Sequence, residues 1–492
     1  MNSRSCSILR KAFFAFTAIC LITNNALFAR AGGGGGGGHS SGGHSSGGGF
    51  GGGHSMGGGH SFGGGGIGFG FGAFGIIIGV ILLIVYFILK AYFRNNKPEG
   101  ALGAILGLIF AISGGGSDDD GYTSSAEGAS LPYPAGLDEE KVKTSFLGIQ
   151  DAWQKKDLKL VRKWISDGVY QRFNGQFIMM NKLSQVNKLS NIQIAKIRVA
   201  NLESDGNYQT ADVAIHFKMD DEFISEKYPQ FNEKFRGDDD TEYWTFIKRN
   251  GPDTGKNLYN SNNCPNCGAT FDVDMGEISR CGSCGTLTNN ASYDWVLSEI
   301  TQEADYSPGR SVANQEELKE LTKHDDTFSI QRMEDVASNV FMQVMQVMGG
   351  EKPNKLDRFA IETVKNALLE ERKRSGNIVF DRLYLNEVSM ITFYKDSEKL
   401  HIVFSMKCTY QRVKAEEKLT LLDRELTSRN YTLTLSKNLK ALQTPAKETV
   451  FSYECASCGS PYGDTTLDKC AYCDAPIIDY DHNWVLTQFQ MS

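Results

Sequence analysis

The chain has 492 residues, enough for two or three domains. Its net charge of −7 argues against a nucleic-acid partner, because neutralising phosphates needs a basic surface. The 53 glycines would be out of place in a globular fold, but most of the excess lies in one tract near the N-terminus, so the remainder is free to build ordinary cores.

Residues 1–31 read as a secretory signal: Arg4, Arg10 and Lys11 precede an apolar run from Ala12 to Ile22, and Ala29-Arg30-Ala31 resembles a cleavage site. Retention as an uncleaved anchor is the alternative. Residues 32–66 form a Gly/Ser-rich tract with His39, His44, His54 and His60, which cannot bury a core and reads as a spacer rather than a metal trap. Residues 67–89 are uncharged and mostly apolar; as a helix they measure about 35 Å, against a hydrocarbon core of about 30 Å. Lys90, Arg94 and Lys97 follow at once, so the positive-inside rule places the rest of the chain on the cytosolic side. That makes it a single-pass membrane protein with its N-terminus outside, in the plasma membrane if the source is bacterial. A linker, 90–136, contains a second apolar stretch, 101–112, too short to cross and read as interfacial or re-entrant.

From Leu137 the pattern becomes globular. Val142, Phe146, Ile149 and Trp153 recur at helical spacing behind the N-cap candidate Asp138, and a second short helix is expected from Asp157, with Leu160, Val161, Trp164 and Ile165 inward. A strand run containing Ile192, Ile194 and Ile197 meets a turn at Ser204-Asp205-Gly206-Asn207. Ala211, Val213, Ile215, Phe217 and Met219 then alternate, with His216 on the polar face. Glu242 to Lys248 is another strand.

The second half repeats this order. A helix carries Ile330, Met333, Val336, Val340 and Val344, and a longer one is expected over Leu356 to Arg374. Strands follow at Phe380 to Tyr394, at Leu400 to Tyr410 and at Asn430 to Leu435, with Cys408 on the apolar face as a buried structural thiol. Helices first and hairpins after, without a crossover unit, is an α+β arrangement.

Each half also carries one cysteine cassette. Cys264, Cys267, Cys281 and Cys284 lead to Trp295-Val-Leu; Cys455, Cys458, Cys470 and Cys473 lead to Trp484-Val-Leu, with the same step from last cysteine to tryptophan. Two spaced Cys-x-x-Cys pairs suit the four-sulfur shell of a structural zinc ion. Gly268, Gly285 and Gly459 follow the second cysteine of three pairs, where the turn favours a left-handed backbone, and Asp474 stands in the fourth. Iron–sulfur ligation, redox dithiols and disulfides are the alternatives; the knuckle glycines and the cytosolic placement favour two structural zinc sites.

Phe146-Leu-Gly-Ile-Gln-Asp-Ala-Trp153, Asp157-Leu158 with Val161-Arg162, the strand pair from Asn191 to Met219, Tyr243-Trp-Thr-Phe-Ile-Lys248 and Trp295-Val-Leu-Ser-Glu-Ile300 together resemble a Tim-forty-four-like domain, the type found in a subunit of the mitochondrial import motor. The resemblance spans Leu137 to Glu303 less the cassette. It implies cone-like domains, helices on a curved antiparallel sheet as in the nuclear-transport-factor-two superfamily, and membrane association with protein docking rather than catalysis. The expected layout is one such domain at 137–305 with a zinc ribbon at 264–284, and a more divergent copy at 320–492 with a ribbon at 455–473. In each, the ribbon is inserted in a β-hairpin. The expected function is a membrane-anchored, non-enzymatic adaptor for protein partners. The alternatives are a ligand-binding or enzymatic cone, which would need an acid or histidine among the inward apolar residues, or a metal-responsive sensor. None is visible in the alternating strands.

Overall fold

The computed structural model describes residues 28–30, 33–35 and 130–491, less 252–254, 272–275, 310–311, 313, 417, 444–454, 456 and 461–468. Two three-residue strands, β1 (Phe28–Arg30) and β2 (Gly33–Gly35), pair antiparallel. The rest of the expected signal segment, the glycine-rich tract, the span 67–89 and the segment 101–112 lie outside the described residues. Among the described residues no helix is long and apolar enough to cross a membrane.

The first lobe opens with α1 (Glu139–Lys155). The Asp138 carboxylate accepts the Lys141 N–H at 2.7 Å, and Glu139 and Glu140 complement the positive helix end. Val142, Phe146, Ile149 and Trp153 are all buried, as their spacing requires. The expected second helix at Asp157 is not there. Residues 159–164 form turns instead; Val161, Trp164 and Ile165 are buried, but Leu160 is exposed. The helix starts later, as α2 (Asp167–Lys182), where the Ser166 hydroxyl caps the Val169 N–H.

Strands β3 (Gln185–Asp205), β4 (Tyr208–Ser225), β5 (Glu233–Arg249) and β6 (Val296–Gln302) make an antiparallel sheet in that order. At the β3–β4 turn Gly206 has φ of 62°, and a Cβ there would lie 2.7 Å from the Phe328 carbonyl oxygen, so two constraints select glycine. The alternating face of β4 is buried, but it runs further than the apolar run ending at Met219: Asp221 and Phe223 also point inward.

After α3 (Gln315–Leu321), the second lobe repeats the order. It has α4 (Ile330–Met348), α5 (Glu362–Ser375), β7 (Ile378–Lys395), β8 (Lys399–Ala415), the short β9 (Leu419–Leu421), β10 (Thr427–Asn438) and β11 (Val485–Met491). The sheet order is β11-β10-β8-β7, with β9 on the end of β8. The single helix expected over Leu356 to Arg374 is interrupted: a 3-10 turn at Pro353–Arg358 is followed by extended residues before α5.

That interruption has a counterpart in the first lobe. Leu297 N–H donates to the Trp164 carbonyl and accepts, through its own carbonyl, the Ser166 N–H, both at 2.9 Å. Leu486 does the same with Phe359 and Ile361, at 2.6 and 3.1 Å. In both lobes the leucine of Trp-Val-Leu therefore bridges in parallel to the residues that enter the second helix. A continuous helix would hide those backbone groups in its own ladder, so the chain must stay extended there.

The lobes share their packing. Met179 and Leu183 of the first join the hydrophobic core of the second, and Tyr384 of β7 joins the core of the first. Arg172 on α2 is buried between them: it pairs with Glu299 at 3.1 Å and donates to the Ser338 hydroxyl of α4 at 3.0 Å. Asp335 of α4 accepts the Ser166 hydroxyl at 2.5 Å and the Gly168 N–H at 3.0 Å, which adds a second cap to α2.

Candidate metal centres

Each cysteine pair folds into the same knuckle. The N–H groups of Cys264, Cys281, Cys455 and Cys470 donate to the carbonyls of Ala269, Thr286, Ser460 and Ala475 at 2.7–2.9 Å. The N–H groups of Gly268, Gly285, Gly459 and Asp474 donate back to the first cysteine's carbonyl at 2.8–3.0 Å. The three glycines have φ of 72–76° and Asp474 has φ of 56°, so the aspartate adopts the left-handed turn that its position demands. In every pair the first cysteine is buried and the second exposed.

The two pairs of each cassette converge. Cys264 Sγ lies 3.6 Å from Cys284 Sγ and Cys267 Sγ lies 3.8 Å from Cys281 Sγ. In the second quartet, Cys455–Cys473 and Cys458–Cys470 are 3.5 and 3.7 Å apart. All four sulfurs of each quartet lie within 4.8 Å of one another. A disulfide needs about 2.05 Å, and a tetrahedron with metal–sulfur bonds of about 2.3 Å has edges of about 3.8 Å. The donor set, four soft thiolates at that spacing, fits zinc. As free thiols the four cannot ionise together. Hydrogen bonds from the Thr286 hydroxyl and N–H bring Cys284 down to about 6, whereas burial pushes Cys264 up to about 12. A dication at the centre would favour all four thiolates.

The first ribbon is built into its lobe. The fully buried Arg162, in the turn before α2, donates to the carbonyls of Gly276 at 3.2 Å and Glu277 at 2.8 Å, and pairs with Asp167. Lys163 donates to the Ser261 carbonyl at 2.5 Å and to Asn262 Oδ1 at 3.0 Å. The Trp164 ring stacks on Tyr259 with centroids 4.8 Å apart, and the Tyr259 hydroxyl donates to the Trp295 carbonyl at 2.8 Å. Described contacts of the second ribbon gather at the strand roots. Asn438 N–H donates to the Tyr480 carbonyl at 3.0 Å, and Lys399 Nζ sits 4.8 Å from the Tyr480 ring centre.

Buried acids overturn the expectation that none faces inward. The Asp221 carboxylate accepts Asn187 Nδ2 at 2.5 Å, and Asn187 in turn accepts the Trp153 indole N–H at 2.8 Å. Glu242 accepts the Trp244 indole N–H at 2.8 Å and the Gln302 amide at 3.0 Å. Burial raises Asp335 and Asp381 to about 7. A further constellation had no sequence signal: His401 lies between Asp396 at 3.0 Å and Ser436 at 2.7 Å. Ser436 is wholly buried and its hydroxyl also meets Thr487 at 2.7 Å, so it is closed to a substrate and joins strands instead. His216 lies between Thr241 at 3.1 Å and Asp239 at 2.9 Å on a polar sheet face, and Cys408 is fully buried.

No curated protein matches the chain. Among solved structures, an Ntf2 like protein involved in plasmid conjugation is 9% identical over 50% of this chain and 71% of its own, with a TM-score of 0.12, a likeness too slight to carry any argument. The matching family is the Tim44-like domain, over residues 139–257: from the start of α1, through the β3–β4–β5 meander, to just short of Cys264.

Proposed function

We propose that the chain is a membrane-anchored, non-enzymatic adaptor whose two lobes, each stapled by a structural zinc ion, dock protein partners at the cytosolic face of a membrane. The observation that carries this reading is the pair of closed four-thiolate quartets, each set in the hairpin that ends in Trp-Val-Leu. Four protein ligands leave no position for water, so the metal contributes folding energy rather than catalysis. The Tim44-like match over 139–257 supports a membrane-associated scaffold role, and the span at 67–89 supplies the anchor. The second lobe is a diverged copy of the same domain: its elements follow the same order and its leucine bridge is equivalent, although its sequence has drifted. A signal segment at 1–31 and a spacer at 32–66 complete the layout. Free thiols throughout both quartets suit the reducing cytosol.

Proximity labelling with the full-length chain in its native membrane tests the reading. A defined set of neighbours should be enriched and should disappear when Cys281→Ser disables the first quartet while the chain stays in the membrane. Enrichment identical to the variant's would overturn the docking role. A ligand-binding cone has less support, because Tyr384 of the second lobe packs into the core of the first.

A further inference from the structure

Beside the first ribbon, α2, α4 and the residues before α5 line a small recess that opens to solvent, with about 20 Å³ of water-accessible space, enough for a carboxylate head whose stem leaves through the mouth. None of the cysteines of either quartet lines it. Two acids line it, Asp167 and Glu277, but both are engaged: Asp167 pairs with Arg162 and accepts the Asn289 amide at 2.9 Å, and Glu277 accepts the Gln171 amide at 2.8 Å.

Three other lining residues, Arg358, Asn339 and Tyr170, keep donors that have no partner among the described residues. Arg358 is only 8% exposed, its Nε is buried without a hydrogen-bond partner, and among the described residues no carboxylate lies within ion-pair distance. Asn339 uses its carbonyl oxygen to accept Gln343 at 2.6 Å, and among the described residues its amide NH2 has no hydrogen-bond partner. Among the described residues the Tyr170 hydroxyl likewise has no partner, while its ring centre lies 4.8 Å from the Arg162 guanidinium. A buried guanidinium without an anion is costly, and native interiors seldom leave one so.

The repeat shows that this is particular to one lobe. Ile165 and Ala360 make equivalent bridges, so Lys163 and Arg358, each two residues earlier, occupy equivalent positions. Lys163 is consumed by its own ribbon at Ser261 and Asn262; Arg358 turns to the recess.

We propose that this recess is a binding site for a carboxylate group, held by Arg358, Asn339 and Tyr170. An acceptor-only ligand satisfies three idle donors, and a guanidinium fork matches a carboxylate. Asp167 and Glu277 on the same wall penalise a dianion, which favours a single-charged carboxylate over phosphate. Phe359 offers an apolar wall for a short aliphatic stem. The carboxylate is either a free small acid or the C-terminus of a peptide.

The test is ligand-observed nuclear magnetic resonance on the purified full-length chain, with sodium propionate, sodium phosphate, and one hexapeptide as its C-terminal acid and its C-terminal amide. Propionate binding indicates a free acid; binding of the acid peptide alone, with the amide silent, indicates a chain terminus. Either supports the site. Arg358→Gln, which strands no partner, should fold normally and weaken binding at least about tenfold. If that variant does not fold, Tyr170→Phe and Asn339→Leu carry the test, each with a loss of about three- to tenfold. Phosphate binding more tightly than every carboxylate, no carboxylate binding, or unchanged affinity in folded variants would overturn the proposal.

Discussion

The second helix of each lobe occupies the same place in the chain order and does a different job. In α2 ten residues are buried, including Gln171, Arg172 and Gln176; in α5 only Val364 and Leu368 are. Helix α2 begins with its own serine cap and borrows Asp335 from the other lobe, whereas α5 has no side-chain cap. The ribbons follow suit. The first is bolted to the turn before α2 by Arg162, Lys163 and Trp164, and the described contacts of the second lie at the roots of its strands. Equal topology therefore coexists with unequal burial of the second helix and, among the described residues, with unequal anchoring of the ribbon.

That asymmetry should make the two quartets differ in what their loss does. Cys281→Ser should lower the stability of the whole body by on the order of 5 kcal/mol, because the ribbon carries acceptors for the buried Arg162 and the return path to Trp295. Cys470→Ser should unfold the second ribbon locally and leave the cores protected. Hydrogen exchange separates the two outcomes, and metal analysis should fall from two zinc ions per chain to one in either variant. Equal, global deprotection in both would break the comparison.

The seam gives the next largest contrast. Arg172→Met should cost about 3–5 kcal/mol in denaturant unfolding, since it leaves Glu299 buried without its cation. Ala367, at the equivalent position of α5, is exposed, and Ala367→Met should change stability by less than about 0.5 kcal/mol. The pH dependence carries a smaller, signed effect. Burial raises Asp335 from the usual 3.8 to about 7, so the folded chain holds its proton more tightly than the unfolded one. The stability this adds is complete below about pH 4 and lost as pH rises through 7. Asp335→Asn removes that dependence, so wild type should lose on the order of 3 kcal/mol more than the variant between pH 4 and 7.5. A parallel pair of profiles would show that Asp335 is not buried at the seam.

Why some of this was readable and some was not follows from what a single chain displays. The eight cysteines and their turns are local, and strand alternation over residues 211–219 is a period-two signal, so the quartets and the central hairpins stood out. Helix α2 did not, because its buried face mixes Val169, Phe173 and Phe177 with Gln171, Arg172 and Gln176, and the partners of Gln171 and Arg172 belong to the ribbon and the other lobe. Val161, Trp164 and Ile165 imitate a helix spacing, but Leu297 must reach the backbone there. The recess was invisible for the same reason: Tyr170, Asn339 and Arg358 are separated by most of the body, and only the packing of α2 on α4 brings them together.

The smallest expected effect bears on the quartets themselves. Asp474 takes the left-handed turn that glycine takes in the other three knuckles, and its N–H makes the same bond to Cys470 at 3.0 Å. Aspartate enters that region at modest cost because its short polar side chain tolerates it. Asp474→Gly should therefore raise stability by no more than about 1 kcal/mol and leave the zinc stoichiometry at two. The converse, Gly285→Asp, should cost about as little. A chain that binds one zinc until Asp474 is replaced, and two afterwards, would mean that the fourth knuckle is strained and that the second lobe has begun to lose its metal.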